Sequence, residues 1–250
     1  NISSGVGPFA IDAGLVHAVE PVTKVRIYQT NTGRILKAEV PVKNGRAGAS
    51  GEFRIDGVPG TGARITMDFS ATVGSATGKL LPTGRVRDVV SFEGAGYPVT
   101  LADAGNPLVF IAAESLGLKG NETAAQIDAD AGLLKKIEGI RSRAAVLMGL
   151  GKSPEEVTEN SPYAPFFAIV SSPQPYVTPA GAEIALDDTD LLSRLLFMQK
   201  MHKTYPGTGA VCTAAAVRIP GSIPYEKLRR SADERRIIHI GHPAGVMDVE

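Results

Sequence analysis

The sequence predicts an α+β fold made of two similar halves, and three observations carry the prediction. Glycine (28) and proline (17) are both abundant in the 250 residues, which favours strands and turns over a helical bundle. Short β-branched runs recur along the chain. Two helices rich in small residues, one near residue 1 and one near residue 207, are each entered through a glycine-rich turn bearing a hydroxyl. That echo places a border near residue 92, with halves 1–92 and 93–250.

Taken in order, residues 3–17 read as a helix. Ser3 or Ser4 can cap it, and Phe9, Ala10, Ala13 and Val16 lie close to helical spacing. Pro8 falls in the first turns, where it costs little. Strands follow at 25–29 (VRIYQ) and 35–42 (ILKAEVPV), joined by the turn Asn31-Thr32-Gly33. Further strands are expected at 51–56, 63–69, 86–92, 99–102 and 108–112, and 74–84 (GSATGKLLPTG) reads as a loop. Residues 122–150 read as one long helix, because Leu133, Leu134, Ile137, Ile140, Ala144 and Leu147 recur at steps of three and four. Gly149 and Gly151 supply its stop. A strand is expected at 166–171, and 191–204 is ambiguous. A second small-residue helix runs over 207–219 (GTGAVCTAAAVRI), and strands return at 237–240 and 246–249. The chain opens without Met inside structured-looking sequence and stops in the last strand, so both ends read as cut.

Lys plus Arg and Asp plus Glu are equal at 26 each. No global field draws nucleic acid or an anionic membrane, and no apolar run reaches membrane-spanning length. The lone Cys212 excludes an internal disulfide and a cysteine metal cluster, and fits a reducing, cytoplasmic setting. Cys212 among alanines reads as a small buried hydrophobe. His239 and His242, three apart in a strand and turn, should point to different faces, which argues against a metal site. Lys135, Lys136, Arg141 and Arg143 read as a solvated helix face. GVGPFA at 5–10 matches a dinucleotide glycine pattern by letter. No strand precedes it, however, and Pro8 removes a backbone donor. GSATGK at 74–79 is one residue short of a phosphate loop, and a turn that brings Lys79 near an anion is the better reading.

The two helix starts carry more. A helix N-terminus exposes unpaired N–H groups and the positive end of the dipole. Glycine lets a ligand approach, and Ser or Thr adds a donor. Two such ends on one cleft would hold a dicarboxylate and stabilise an enolate-like charge. By composition alone, two capped and tightly packed helices account for the same residues.

Several stretches, in order, resemble the PrpF-like isomerase family. They are 1–16 (NISSGVGPFAIDAGLV), 25–42, 55–62 (IDGVPGTG), 74–84, 206–214 (PGTGAVCTA) and 241–249 (GHPAGVMDV). The resemblance spans essentially the whole chain. It implies the diaminopimelate epimerase-like α+β fold, with two similar domains, each a central helix wrapped by sheet. It implies an isomerase or tautomerase that moves a proton and a C=C bond in a small unsaturated di- or tricarboxylate, with no metal or organic cofactor. Amino-acid epimerisation and non-catalytic polycarboxylate binding are the alternatives.

In that family a Cys before Gly-Asn serves as acid/base and a Lys further upstream assists, so the catalytic pair is expected before Asn1 and not in this chain. The resemblance assigns substrate binding to Asn1, Ser3, Ser4, Lys79, Asn106, Gly207 and Thr208. Asn1 matches the motif Asn, and Gly105-Asn106-Pro107 matches the epimerases' Gly-Asn-Pro. Pro206 stands where amino-acid epimerases carry a second catalytic Cys, and Ala244 replaces the Ser of a His-Pro-Ser-Gly motif. The implied partner is a small polycarboxylate, not nucleic acid or membrane, and a homodimer stays open.

Overall fold

The computed structural model describes residues 2–30, 32–229 and 236–250, without the side chains of Ile2 and Ser3. Helix α1 (Ile2–Asp12) lies against a small sheet. Strands β1 (Val22–Gln29) and β2 (Arg34–Lys43) pair antiparallel from Val22↔Pro41 to Gln29↔Arg34. Alternate residues of both strands are buried, and Val25, Ala38, Val40 and Val42 meet Ala10 and Ile11 of the helix. The helix approaches closely because Gly7 has no side chain: a Cβ there would stand 2.7 Å from Val40 Cγ2. The short β3 (Arg46–Ala47) and β4 (Thr66–Asp68) both pair with β2. The strands expected at 51–56 and 63–69 shrink to β4 and one isolated bridge, Phe53↔Gly62. Gly51, Gly57, Gly60 and Gly62 punctuate this stretch, and two of them adopt positive φ.

The rest of the chain builds an eight-stranded mixed sheet. It begins with β5 (Asp88–Phe92), β6 (Ala95–Ala104) and β7 (Asn106–Ala112). The expected border at residue 92 thus falls after β5, and the change of sheet lies between β4 and β5. Next come α2 (Ala124–Ala129), α3 (Ala131–Leu147) and α4 (Pro154–Asn160). After them run β8 (Phe166–Ser171), β9 (Tyr176–Val177), β10 (Glu183–Ile184), β11 (Leu191–Phe197) and β12 (Lys200–Met201). The chain ends with α5 (Gly207–Ala216), α6 (Ile223–Lys227), β13 (Ile238–His242) and β14 (Gly245–Val249). The order across the sheet is β14-β13-β11-β8-β7-β6-β5, with β12 on β11. The β7–β8 and β11–β13 pairs are parallel.

Every residue of β8 is buried, as expected for a central strand covered on both faces. One face packs Leu108, Phe110, Leu191 and Leu195 against Ala210, Cys212 and Ala216 of α5. The other packs Leu101, Val109, Ile111 and Ile169 against Leu133, Ile137 and Ile140 of α3. Each fully buried Leu or Ile contributes about 1.5–3 kcal/mol.

The single helix expected at 122–150 is two. Asp130 is extended (φ −93, ψ 91) and its side chain accepts the Leu133 amide, which caps α3 and breaks it from α2. Gly149 (φ +75) ends α3, with Leu150 N donating to Ala145 O. Residues 191–204 resolve as a hairpin: Met198 and Gln199 both take positive φ between β11 and β12. Arg141 is not solvated. It is buried, pairs with Glu138, and donates to the Ser161 and Ala164 carbonyls, tying α3 to the segment after α4. Arg143 donates to Gly139 O and lies over the Phe92 ring. Among the described residues, no helix is long and apolar enough to cross a membrane.

Candidate active site

Helix α5 begins at Pro206, which is extended and offers no side-chain cap to the first turn. Gly207 is exposed, and a Cβ added there would meet nothing within 4 Å. Packing therefore does not require this glycine; it leaves open space in front of the amides at the helix tip. Thr208 follows, and its Oγ1 accepts a hydrogen bond from Asn106 Nδ2 at 3.0 Å. Asn106 leaves the β6–β7 turn at Gly105, whose positive φ (+74) only glycine adopts readily. A Cβ on Gly105 would also stand 3.0 Å from Thr208 O. The turn and the helix tip are thus pressed together, and Asn106, Gly207 and Thr208 form one cluster.

A buried network supports that tip from below. The Tyr205 hydroxyl lies 2.8 Å from Ser193 Oγ and 2.9 Å from Thr213 Oγ1, and Thr213 donates to Gly209 O inside the first turn of α5. Burial pushes the Tyr205 phenol up to about 12, so it stays protonated and keeps its donor. Burial likewise pushes the Cys212 thiol up to about 12. Its Sγ faces Ala102 O at 3.6 Å, which fits a packed hydrophobe and not a thiolate base.

The loop at 74–79 sits on the same β6–β7 turn, but its amides from Gly74 to Gly78 donate inside the protein. The Ala76 and Thr77 amides and the Thr77 hydroxyl all donate to Asp103 Oδ2, and Gly74 N donates to Asp103 O. Lys79 is exposed at the end of that loop, beside amides that close on Asp103 instead of standing open to an anion. Ser4 is half-buried in the first turn of α1. Asn1 and the Ser3 side chain lie outside the described residues.

Two further buried polar residues, His242 and Arg194, stand outside the candidates read from the sequence. His242 ends β13, fully buried, with its ring 6.4 Å from that of Tyr205. Its Nδ1 accepts the Ala244 amide at 3.2 Å, so Nε2 carries the proton, and Nε2 is buried without a partner. Burial pulls its pKa down to about 4, which keeps it neutral near pH 7. His239, as expected, points elsewhere and meets Asp248 at 2.7 Å. Arg194, fully buried in β11, donates to the carbonyls of Glu122, Ser193 and Gly241 and stacks on Tyr176. Burial lowers it to about 10, still charged. Only the glycine-marked stretches 55–62 and 241–249 hinted at this region, because its contacts join residues far apart in the chain.

A solved structure of a probable proline racemase from Agrobacterium radiobacter superposes with a TM-score of 0.50 at 12% identity, covering 98% of this chain and 56% of that one. The α+β architecture is therefore that of the racemase and epimerase fold. Within it, the PrpF protein family model matches residues 1–250, and the chain belongs to that family. The crystal structure of a methylitaconate-delta-isomerase matches with a TM-score of 0.91 at 50% identity, over 100% of this chain and 64% of that one. The 3-methylitaconate isomerase of Eubacterium barkeri is 50% identical over 250 residues, 100% of this chain and 66% of the relative. The 2-methyl-aconitate isomerase of Shewanella oneidensis is 35% identical, over 100% and 64% respectively. The chain thus spans slightly under two thirds of the length of the relatives it matches.

Proposed function

We propose that the protein serves as a cofactor-independent isomerase or tautomerase that moves a proton and a C=C bond in a small unsaturated di- or tricarboxylate. The observation that carries this reading is the open tip of α5, where uncapped amides stand beside the Asn106–Thr208 pair. Carboxylates suit such a tip, because N–H groups and the helix dipole both favour negative charge. The named activities of the family relatives support the same substrate class.

Moving a double bond next to a carboxylate needs a base for a weakly acidic C–H proton, an acid at another carbon, and a site for the charge that develops between them. In this reading α5 supplies the charge site. The acid/base Cys-Gly and a Lys are expected upstream of Asn1. Asn1, Ser3 and Ser4, as the resemblance assigns them, would bind the other end of the acid, and Lys79 would add charge near the β6–β7 turn. Pro206, in place of a second thiol, disfavours the two-thiol amino-acid epimerase reading.

The test is deuterium wash-in. The full open-reading-frame product, incubated in D2O with methylitaconate or 2-methylaconitate, should exchange a C–H proton and move the double bond. Racemisation of an amino acid without either would overturn the proposal. Binding without wash-in would leave a polycarboxylate-binding protein, the outcome that Ala244 would favour.

A further inference from the structure

Asp56 belongs to the first half of the chain but is seated in the second. Its Oδ2 accepts the Val246 amide at 2.8 Å, across 190 residues. A Cβ on Gly245 would stand 2.1 Å from that same oxygen, so only glycine admits the carboxylate. The next residue, Gly57, has a positive φ (+85), and a Cβ there would fall 2.7 Å from Thr204 Cγ2 and 2.9 Å from Ala244 Cβ. Two glycines, one from each half, thus permit a joint of near-backbone closeness, and Thr204 stands just before Pro206, where α5 begins.

The receiving turn is rigid. The single Tyr176 hydroxyl proton is shared between His242 O at 2.8 Å and Gly245 O at 2.6 Å, and its ring packs on Arg194. Burial pushes that phenol up to about 12, so the hydroxyl keeps the one proton that the two carbonyls share. A hydrogen-bonded turn on one side and a glycine-bearing loop on the other thus meet through one side chain, Asp56.

We propose that Asp56 is a positioning residue, a carboxylate latch that holds the 55–62 loop on the 242–246 turn and so sets how far the α5 tip stands from the first half. The proposal rests on the isomerase reading for what the gap grips, but not for the latch itself. With the latch released the gap is no longer fixed, and discrimination between dicarboxylates and longer tricarboxylates should relax.

The experiment has two independent readouts on Asp56→Ala, Asp56→Asn and Gly245→Ala. Hydrogen exchange at the Val246 amide should quicken about tenfold or more in Asp56→Ala, which loses the acceptor. It should quicken equally in Gly245→Ala, which displaces the carboxylate, and change little in Asp56→Asn, which keeps an oxygen. In the wash-in assay Asp56→Ala should raise KM about tenfold with kcat little changed and flatten the preference between di- and tricarboxylates. Unchanged Val246 exchange in Asp56→Ala overturns the latch. Faster exchange with unchanged KM and preference reduces Asp56 to a structural tie and overturns its positioning role. If Asp56→Ala does not fold, Gly57→Ala, which wedges the joint at Thr204, must give the same exchange and KM changes or the proposal fails. Absence of turnover in the unaltered protein removes the isomerase reading and with it the positioning role, while Val246 exchange still decides the latch.

Discussion

Helices α1 and α5 are built alike and treated differently. Each is rich in small residues, and each uses a glycine to let a strand press in: Gly7 against Val40 and Gly209 against Leu195, both at 2.7 Å from an added Cβ. Yet α5 buries six of its residues and is packed by β6, β7, β14 and α6. In and just after α1, Phe9 is 66% and Leu15 72% exposed. The same close approach is therefore enclosed in one half and one-sided in the other. Composition sets the approach, and the surrounding sheet sets how rigidly it is held.

The contrast in burial should appear most strongly in titration. His242 has an ordinary pKa of 6.5, held near 4 in the folded protein. Between these values the unfolded chain binds the extra proton, so stability is full above about pH 6.5 and is lost as pH falls toward 4. The loss should approach about 3 kcal/mol. Urea melts across this range should show the slope, and His242→Asn should flatten it.

The glycine pair probes the enclosure itself. Gly209→Ala should cost about 2–3 kcal/mol, because Leu195 is fully buried and Pro206 also crowds the site. Gly7→Ala should cost about 1 kcal/mol or less, because α1 can yield toward its open side and gains helix propensity. Equal costs in thermal melts would erase the distinction between the halves. A smaller effect is expected of Tyr205→Phe. It strips the hydroxyl shared by Ser193 and Thr213 and should cost about 1–2 kcal/mol in urea melts.

Much of this was legible in the sequence where the cause is local. The small-residue pattern at 207–216 names a helix that must be buried, and short apolar and β-branched runs name most strands of the large sheet. The break at Asp130 was hidden because the apolar spacing continues beyond it and a single capping side chain decides the matter. The Met198-Gln199 turn was hidden because neither residue is one that favours positive φ. Arg141 looked solvated because its partners, the Ser161 and Ala164 carbonyls, come from a segment some twenty residues on. In the candidate site, the motifs named Asn106, Gly207 and Thr208, which the fold brings into one cluster. His242, Tyr205 and Asp56 were not so named, because each acts through contacts between elements that no spacing in the chain records.

The claim on which the functional account turns is that the α5 tip grips a carboxylate. Titration with cis-aconitate, followed by NMR, tests it directly. The Gly207, Thr208 and Gly209 amides and the Asn106 side-chain amide should shift together and saturate, and Thr208→Val should weaken the binding about tenfold. Saturable shifts confined to other parts of the molecule, or none at these four groups, would contradict it.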